Sequence, residues 1–443
     1  MVSLLDRLKD FFLEQGIHRR YIIGYSGGLD STVLLHLASE LRELYPLSLT
    51  AIHVHHGLSQ NADSWRAHCR KESAARKIDF IDRAIFVSED AGQSLEEEAR
   101  KKRYAVFSEY LYPGDILLTA HHEDDQAETL LLQLSRGAGI KGLAAMPLVK
   151  VCGQGFHARP LLSFSRNQLE EYACSHDLPW IEDESNDDTR LTRNFLRSHI
   201  LPSLKQRWPS IAHTLSRVAL LCAESQALLD SVLKTDLESC QTDCATILLV
   251  EPLARLEPAR QRHVLRYWLS SLGVPLPSMA KLYQLQHDFL TAAPDKLPCI
   301  QWGGVELRRY RNRLYAMPPL SPVDPISVTW DLQSDCVLPV GQLTASRKMG
   351  EGIRVDAPII VRTRGGGERC YVRGMHRLLK NLFQEWGVPP WERDRIPLLY
   401  SQNELIAVVG YFVRDDFLAE SNEEGWVIKN CKGSESKRQA CPL

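Results

Sequence analysis

The stretch YIIGYSGGLDSTVLLHLASEL, residues 21–41, decides the fold of the N-terminal part of this chain. It begins with a short apolar run that predicts a buried β-strand, and the chain then turns at Ser-Gly-Gly. Residues 31–41 carry apolar side chains at the spacing of an α-helix. A strand, a glycine-rich turn and a helix in this order are typical of a βαβ unit, and hence of a parallel sheet.

The same alternation continues to about residue 176. Strand patterns cover residues 47–55, 79–87 and 115–121, and helical patterns cover residues 62–76, 94–111, 124–135 and 165–176. We therefore expect an α/β domain with a doubly wound parallel sheet and helices on both faces. Ligands of such sheets bind at the carboxyl ends of the strands.

The rest of the chain has a different pattern. Helical spacing over residues 211–237 and 257–290 predicts a mostly helical middle domain. Strand-like runs at residues 326–330, 353–363 and 405–413, with one amphipathic helix at 376–386, predict a small α+β C-terminal domain. A proline-rich stretch near residues 318–325 is typical of a linker. We therefore expect domains at residues 1–210, 211–318 and 319–443.

Composition limits the classes of protein that fit. The chain has 443 residues, which is too long for one compact core, and its formal net charge of −2 shows no overall basic excess. Its 11 cysteines form no CxxC pair, so reduced thiols are the simplest interpretation. Charged residues interrupt the N-terminal stretch MVSLLDRLKDFFLEQG, which excludes a signal peptide or membrane span. We expect a soluble, cytoplasmic protein.

The loop SGGLDS, residues 26–31, has the composition of a phosphate-binding turn. Its glycines allow close backbone approach, and the helix that follows offers free N–H groups to an anion. The Ser26 and Ser31 hydroxyls can donate to phosphate, and Asp30 can hold Mg²⁺. The lysine of a kinase-type loop is absent, which favours pyrophosphate as the leaving group. The alternative is a Ser/Gly turn that caps an ordinary helix.

This loop resembles the signature of the N-type ATP pyrophosphatases, or PP-loop enzymes. The resemblance implies cleavage of ATP to AMP and pyrophosphate with Mg²⁺ held at Asp30. It also implies an ATP-binding set formed by Ser26, Gly27, Gly28, Leu29, Asp30 and Ser31. The loop by itself does not select one member of the superfamily.

Five further stretches resemble the lysidine synthetases. They are HVHHGL (53–58), EEEARKKRY (96–104), AHHEDDQAETLLLQLSRGAGIKGLAAM (120–146), TRNFLRSHILP (192–202) and HRLLKNLFQEWGVPPWERDRIPLLY (376–400). The resemblance implies that ATP adenylates the wobble cytidine of the tRNA(Ile) with anticodon CAU. Free L-lysine then replaces AMP at C2, which changes the codon read from AUG to AUA. The sequence leaves open whether the chain forms a homodimer.

Carboxylates at helical spacing follow the histidine pair of residues 121–122. Asp125 and Glu128 are three residues apart, and Asp124 and Glu128 are four apart, so either pair shares a helix face. Such a pair could bind the ammonium group of lysine and accept its proton. The alternative is a solvated first helical turn, where acidic residues are favourable anyway. The family resemblance implies catalytic roles for Asp125 and Glu128 beside Asp30, and leaves the share of Asp124 in lysine binding open.

Two groups of basic residues could contact phosphates. In the N-terminal domain we expect ATP or the anticodon backbone to be bound by Arg100, Arg103, Arg193, Asn194 and Arg197. In the C-terminal part, basic residues interleaved with aromatics predict an RNA-binding surface. Its members are Arg308, Arg309, Arg311, Arg313, Arg362, Arg364, Arg369, Arg373, Arg377 and Lys380. The alternative in both places is a solvated charged face.

Four other functions compete with this interpretation of the sequence. His53, His55, His56, His121 and His122 suggest a zinc site, but their spacing fits no standard structural-zinc pattern. A tRNA thiolase of the same superfamily would resemble its relatives in carrying paired catalytic cysteines. A small-molecule amidating synthetase gives no role to the C-terminal basic residues. A non-catalytic RNA-binding protein leaves Asp30 and the acidic helix unused.

Overall fold

The computed structural model describes residues 3–55, 61–85, 95–182, 192–293, 296–356 and 358–431, without the side chains of residues 95–97. Residues 56–58 of the quoted motif HVHHGL lie outside the described residues, as do the predicted strand end at 86–87 and helix start at 94. The chain forms two compact units, Met1–Ser231 and Val232–Leu443.

The first unit is built on a six-stranded sheet. Its strands are β1 (Arg20–Gly24), β2 (Ser48–His55), β3 (Asp79–Ala84), β4 (Ile116–Leu118), β5 (Val149–Cys152) and β6 (Gly155–Ala158). They lie in the order β3-β2-β1-β4-β6-β5, and all pairs are parallel except β5 with β6. The predicted doubly wound α/β sheet is confirmed, with an antiparallel edge strand that the sequence did not reveal.

Helices accompany this sheet, and α10 continues into the second unit. They are α1 (Leu4–Gln15), α2 (Leu29–Arg42), α3 (Ala62–Ala75), α4 (Leu95–Glu109), α5 (Glu123–Ser135), α6 (Ile140–Leu143), α7 (Arg166–Ser175), α8 (Thr192–Phe195), α9 (Leu201–Arg207) and α10 (Ile211–Cys240). A π-helical turn, Leu196–Ile200, joins α8 to α9. Helix α2 begins at Leu29, two residues before the predicted start.

Both faces of the sheet are covered. On β1, Tyr21 and Ile23 belong to one apolar core, which includes α1, α2 and α7. Ile22 points to the opposite core, where Phe107 of α4 packs. Because successive strand residues face opposite sides, an uninterrupted apolar run is what a doubly covered strand requires.

The strand order places the ligand crevice of this sheet. Moving along the chain from β1, the sheet grows first toward β2 and β3 and later toward β4 and β6. Adjacent loops therefore leave β1 and β4 in different directions and open a crevice at their carboxyl ends. The loop SGGLDS follows β1, and the acidic helix α5 follows β4. The two predicted motifs thus meet at one edge of the sheet.

Among its described residues, the second unit contains four antiparallel sheets and five further helices. The helices are α11 (Val250–Arg255), α12 (Pro258–Ser271), α13 (Met279–Leu290), α14 (Leu379–Glu385) and α15 (Pro390–Arg393). The first sheet, in the order β7-β10-β9-β8, comprises β7 (Ile247–Leu249), β8 (Cys299–Trp302), β9 (Val305–Tyr310) and β10 (Arg313–Met317). The predicted middle domain is therefore helical with an added antiparallel sheet.

The other three sheets form the C-terminal part. Their strands are β11 (Ser327–Trp330), β12 (Cys336–Leu338), β13 (Gly341–Met349), β14 (Ile359–Arg362), β15 (Arg369–Val372), β16 (Met375–Leu378), β17 (Leu398–Ser401), β18 (Glu404–Val408), β19 (Phe412–Val413) and β20 (Glu424–Cys431). The sheets have the orders β11-β14-β17-β18-β19, β12-β13-β20 and β15-β16. The prediction of an α+β C-terminal domain is confirmed.

One predicted helix, residues 376–386, is partly wrong. His376 and Arg377 lie on β16, which pairs with β15 as a hairpin, and the helix begins only at Leu379. Arg373 and Gly374 form its two-residue turn, both with positive φ, at 48° and 80°. A two-residue turn with positive φ at both positions matches the twist of paired strands, so the residues after it pair with β15 as a strand.

In the part of the chain that the structure describes, no helix is long and apolar enough to cross a membrane.

Candidate active site

The phosphate loop has the geometry of an anion-binding turn. Gly28 lies just before α2, and the first intrahelical bond runs from Thr32 N–H to the Gly28 carbonyl at 3.0 Å. The N–H groups of Leu29, Asp30 and Ser31 come before that bond, so they are the donors that a helix start offers to an anion. The predicted phosphate-binding residues therefore lie in one turn.

Gly27 is required by the shape of this turn. Its φ is +87°, and a Cβ built there would lie 2.8 Å from the Cys69 sulfur and 2.8 Å from Cδ1 of Ile181. Its carbonyl accepts a hydrogen bond from Ile181 N–H at 2.9 Å. A side chain at this position would be strained and would also clash. The loop backbone is thus held on one side by the buried Cys69 and by the half-buried Ile181.

The two serine hydroxyls are close together at the mouth of the loop. Ser26 Oγ and Ser31 Oγ are 3.0 Å apart, and Ser31 Oγ donates to the Gly28 carbonyl at 3.0 Å. The loop therefore holds both hydroxyls through internal hydrogen bonds, and binding a phosphate would exchange those bonds for phosphate oxygens.

Asp30 has the features of a Mg²⁺ ligand. One of its carboxylate oxygens, Oδ1, is buried and has no hydrogen-bond partner among the described residues. The other, Oδ2, accepts from Arg166 Nη1 at 3.3 Å. Mg²⁺ in nucleotide sites is commonly held by one or two carboxylates together with phosphate oxygens. An orphaned carboxylate oxygen beside a phosphate loop fits that ion.

Basic side chains from the segment α8–α9 pair with the acidic face of α5. Arg193 donates to Glu128 at 2.6 Å and to Asp125 at 2.8 Å. Arg197, on the π-helical turn, donates to Glu128 at 2.7 Å and to Asp125 at 2.9 Å. Asp125 and Glu128 therefore share a helix face, as their spacing predicted. The pair is bound by two internal guanidinium groups.

Asp124 points to a different set of partners. It accepts from Lys205 Nζ and, at 3.0 Å, from the backbone N–H of Arg166. Burial alone would raise the pKa of Asp124, but the hydrogen bonds from Lys205 and Arg166 lower it. Asp124 and Glu128 thus line the same cleft with separate cationic partners.

His122 joins the phosphate loop to the acidic helix. Its Nε2 lies 3.6 Å from Asp30 and 3.4 Å from Asp125. Burial alone would lower the pKa of His122, but the carboxylates of Asp125 and Asp30 outweigh it and raise that pKa. The backbone N–H of His122 also donates to the Asp125 carboxylate at 3.0 Å, which caps α5 at its first residue, Glu123. The ring therefore links the two motifs.

The electrostatic balance affects what Asp125 can do. Burial alone would raise its pKa, but His122, Arg193 and Arg197 outweigh burial and hold the pKa of Asp125 well below its usual range. Opposite charges within a few ångströms favour the ionised carboxylate in this way. In this arrangement Asp125 is a charged group and a weak base.

A cleft of about 270 Å³ opens between these groups. Its lining is acidic, basic and apolar at once: His122, Asp124, Glu128, Arg166, Arg197, Leu201, Pro202 and Lys205. Its volume is close to the lower end of the usual range for small-molecule sites. A zwitterionic ligand with an aliphatic chain matches such a lining.

The remaining predicted residues of the first unit lie around this site. Arg100 is exposed and stacks over Tyr104, 5.7 Å from its centroid. Arg103 is exposed and close enough to His53 for its charge to affect that ring. Asn194 lies beside Arg193 on α8, and its backbone carbonyl accepts a hydrogen bond from the Ser198 hydroxyl at 2.7 Å. Arg100 and Arg103 thus approach different rings.

Comparisons with known proteins identify the family. Residues 3–204 match the family described as the PP-loop domain, residues 248–315 match the TilS substrate binding domain, and residues 359–430 match the TilS substrate C-terminal domain. A tRNA(Ile)-lysidine synthase from Coxiella burnetii (strain RSA 493 / Nine Mile phase I) is 42% identical over 433 residues, which cover 96% of both chains. The chain belongs to the tRNA(Ile)-lysidine synthase family.

Other relatives agree. The tRNA(Ile)-lysidine synthase of Legionella pneumophila (strain Paris) is 40% identical over 430 residues, covering 96% of this chain and 97% of its own. Among solved structures, the U34-tRNA thiolase NcsA from Methanococcus maripaludis with its 4Fe-4S cluster is similar at 18% identity and a TM-score of 0.40. That similarity covers 49% of this chain and 77% of the thiolase.

The predicted basic residues of the C-terminal part lie on and beside the β15–β16 hairpin. Arg369, Arg373 and Lys380 are exposed, whereas Arg377 is half-buried and pairs with Glu385. Because Arg369 lies opposite Leu378 and Arg377 lies opposite Cys370, the two arginines belong to opposite faces of the hairpin. The hairpin lies within the TilS substrate C-terminal domain of the family.

The face with Arg369 borders a second cleft of about 400 Å³. Polar and aromatic residues line it: Glu368, Arg369, Tyr371, His376, Tyr400, Asn403, Glu404, Leu405 and Arg414. The guanidinium of Arg414 stacks over Tyr371, 5.2 Å from its centroid. Aromatic and cationic surfaces of this kind suit nucleotides.

The predicted patch at residues 308–313 is partly wrong. Arg309 is buried and donates to the Phe289 and Ala292 carbonyls at the end of α13, at 2.5 and 3.0 Å. It faces inward because strand residues alternate, and a cation is favourable at a helix C-terminus. Arg308 pairs with the buried Glu306 and stacks over Trp391. These two arginines stabilise the second unit.

Sequence reasoning missed several residues of the crevice. Lys205 lies eight residues after Arg197, so the four-residue spacing of Arg193 and Arg197 could have been extended to find it. His122 could not be separated from His121, because adjacent residues of a histidine pair give no sign of which one faces Asp30. Arg166 has no local signal, since its partner Asp30 is 136 residues away.

In the described ranges, no group of three or more His, Cys, Asp or Glu side chains could hold a metal.

Proposed function

We propose that this chain splits ATP and attaches L-lysine to C2 of the wobble cytidine in the tRNA(Ile) with anticodon CAU. Family membership supports the substrates, and the shared crevice supports the chemistry. The observation that carries the proposal is the cleft that borders the acidic helix and is lined by His122 and Arg166, both of which also contact Asp30 of the phosphate loop. It offers carboxylates, cations and an apolar wall within one small volume.

In the first step the cytidine O2 attacks the α-phosphate of ATP. A new oxygen–phosphorus bond forms, the bond to the β-phosphate breaks, and pyrophosphate leaves with the electron pair. The N–H groups of Leu29, Asp30 and Ser31 point to where pyrophosphate would be held. Mg²⁺ bound by Asp30 would supply positive charge to the leaving group.

The arginines of α8–α9 connect ATP binding to lysine binding. Arg193 and Arg197 neutralise Asp125 and Glu128 in the absence of substrate. A triphosphate brings several negative charges into the crevice and competes for the same guanidinium groups. We propose that Arg193 and Arg197 turn toward the nucleotide, which frees the carboxylates for the ammonium group of lysine.

The cleft suits lysine end to end. Arg166 and Lys205 are the cations that would hold the α-carboxylate, and Asp124 would hold the α-ammonium group. Leu201 and Pro202 would contact the aliphatic chain. Asp125 and Glu128 would then receive the ε-ammonium group.

In the second step the ε-amine attacks C2. The arriving ammonium group first loses one proton to solvent, since the nitrogen needs a free electron pair to form the C2–N bond. Glu128 then takes the second proton from that nitrogen, and the C2–O bond breaks as AMP leaves with the oxygen. Asp125 contributes negative charge that favours the ammonium group on arrival. A carboxylate can remove that proton only as the nitrogen forms its bond, because the free ammonium is a much weaker acid.

Domain roles follow the same proposal. We propose that residues 1–210 form the adenylation domain, residues 211–318 the mostly helical middle domain, and residues 319–443 the tRNA-binding domain. The family matches at 3–204, 248–315 and 359–430 support this division. Arg369, Arg373, Arg377 and Lys380 are the proposed backbone contacts.

The thiolase alternative finds no support in the thiol beside the loop. Burial raises the pKa of Cys69 to about 12, so the thiol stays protonated. Thiol chemistry depends on the thiolate. Cys69 instead packs against Gly27.

The test is incorporation of labelled lysine into a tRNA(Ile) transcript with anticodon CAU, in the presence of ATP and Mg²⁺. We expect label in the tRNA that depends on ATP and is lost in Asp30→Ala. The matched control is Asp63→Ala, which removes a solvent-exposed carboxylate on α3. Pyrophosphate release that depends on tRNA but gives no label would reject lysine as the nucleophile and keep adenylation. Absence of both would reject the proposal.

A further inference from the structure

A line of hydrogen-bonded side chains runs beside the crevice and has no role in the chemistry proposed above. His121 Nδ1 lies 2.7 Å from the Thr119 hydroxyl, which lies 2.8 Å from His157 Nε2. His157 Nδ1 in turn lies 3.1 Å from Nη2 of Arg159. Thr119 and His121 follow the end of β4, His157 is the next-to-last residue of β6, and Arg159 follows that strand, so all four lie near the ligand edge of the sheet.

The direction of these hydrogen bonds can be assigned from Arg159. A guanidinium group only donates, so His157 Nδ1 accepts and carries no proton. A neutral His157 then carries its proton on Nε2 and donates it to the Thr119 oxygen. The hydrogen of the Thr119 hydroxyl then needs an acceptor of its own.

Thr119 is buried, and the structure gives its hydroxyl two partners among the described residues, the rings of His157 and His121. If His121 Nδ1 were also a donor, the hydroxyl hydrogen would have no acceptor. Leaving a buried donor unpaired destabilises the folded state. Thr119 therefore donates to His121 Nδ1, and His121 carries its proton on Nε2.

Arg159 is an unusual residue to bury for packing alone. It is 1% exposed, and its Nε has no hydrogen-bond partner in the described part of the chain. Its guanidinium donates to the Pro147 carbonyl at 2.8 Å and to His157, and it also makes a hydrogen bond with Tyr104. Burying a cation without a carboxylate is costly. The hydrogen bond from Arg159 to Nδ1 fixes the tautomer of His157, which accounts for a cation at this buried position.

The two histidines are neutral at working pH. Burial, together with the charge of Arg159, lowers the pKa of His157 to about 2. Burial lowers the pKa of His121 to about 3, although the carboxylate of Asp125 acts in the opposite direction. A ring that stays neutral can donate one hydrogen bond without becoming an acid.

The surroundings of His121 favour an anionic acceptor. Arg100 and Lys150 lie over Tyr104, at 5.7 and 5.6 Å from its centroid, and that ring is 5.4 Å from His157. Both cations act on the electrostatics of the His157 ring. A positive region at the strand ends attracts phosphate.

We propose that Arg159, His157 and Thr119 are positioning residues that hold His121 in the Nε2–H tautomer, where it donates to a phosphate oxygen of the adenylated base. This proposal rests on the function proposed for the crevice. A fixed neutral donor stabilises charge that grows on the phosphate oxygens as AMP leaves. Arg159 acts through two intervening residues and does not touch the substrate.

The test compares Thr119→Val with Thr119→Ser. Valine has nearly the shape of threonine but no hydroxyl, whereas serine keeps the hydroxyl and loses a methyl group. We expect Thr119→Val to lower the rate of lysidine formation about 10- to 100-fold, with the KM for ATP nearly unchanged. Thr119→Ser should keep most of the rate. Equal rates in the two variants would overturn the proposal.

A second measurement reads the tautomer directly. In protein labelled with ¹⁵N at histidine, the His121 signals, assigned by their loss in His121→Gln, should show a protonated Nε2 in the wild type and in Thr119→Ser. Thr119→Val should show a mixture. A proton on Nδ1 of His121 in the wild type would overturn the proposed positioning by Thr119, His157 and Arg159, even if lysidine forms. Failure to form lysidine in the wild type would reject the proposed function without affecting the tautomer result.

Discussion

Replacing Glu128 by glutamine should destabilise the first unit strongly. The Glu128 side chain is 1% exposed and accepts from Arg193 at 2.6 Å and Arg197 at 2.7 Å. Removing one partner of a buried ion pair costs about 3–5 kcal/mol. Asp125 remains as a partner of both arginines, and Arg197 is 36% exposed, so we expect the lower end, about 3 kcal/mol. For a unit of this size, that lowers the Tm by about 6–12 °C.

The assay is urea denaturation of the full chain, followed by hydrogen exchange of peptides that span α5. The matched control is Glu98→Gln, because Glu98 makes a partly exposed pair with Lys102 on α4. That variant should cost about 0–1 kcal/mol. The double variant Glu128→Gln/Arg197→Gln should recover about 1–3 kcal/mol relative to the sum of the single changes. A cost for Glu128→Gln no larger than that of the control, or the absence of coupling, would refute the reasoning.

Three further predictions concern other parts of the chain. Gly27→Ala should cost about 1–3 kcal/mol and weaken ATP binding in a nucleotide titration, whereas the open site Gly139 should tolerate alanine without loss. His157 has a pKa of about 2 when folded, so the folded state binds fewer protons than the unfolded one, and stability is lost as the pH falls below about 6.5. Between pH 6 and pH 5, the free energy of unfolding of His157→Gln should therefore fall by about 1.4 kcal/mol less than that of the wild type. Denaturation at the two pH values measures this difference, and equal falls in the two proteins would contradict the prediction. Arg373→Ala should reduce the salt slope of tRNA binding by about 1, while Arg347→Ala, on a different sheet, should leave it unchanged.

Local patterns predicted the first unit well. The strand, turn and helix of residues 20–42 depend on neighbouring residues, so their periodicity shows in the sequence. Strand order could not be read from periodicity, and the antiparallel edge strand β5 has too few residues to give a clear pattern. In the second unit, a hairpin turn with Arg373 at positive φ concealed β16, because arginine is uncommon at such a position.

The sequence predicted the acidic residues of the candidate site, but it revealed only some of the basic residues that pair with them. Asp125 and Glu128 are three residues apart, so their common face follows from helix geometry. Their pairing with Arg193 depends on chain segments 65 residues apart, which no local pattern reports. The relay through Thr119, His157 and Arg159 was missed for the same reason, since it joins two strands that are neighbours only in the folded sheet.

The paired charges of the crevice have a consequence for selectivity. Asp30, Asp124, Asp125 and Glu128 each have a basic side chain at their carboxylate before substrate arrives. Positively charged metabolites must therefore exchange with those side chains, and they gain little from the exchange until an anion takes the displaced arginines. Ornithine and polyamines are cations of the kind that such a site would otherwise bind. On the function proposed above, the resting enzyme would not bind them, and it would become receptive to an amino acid only in the presence of the nucleotide that the reaction consumes.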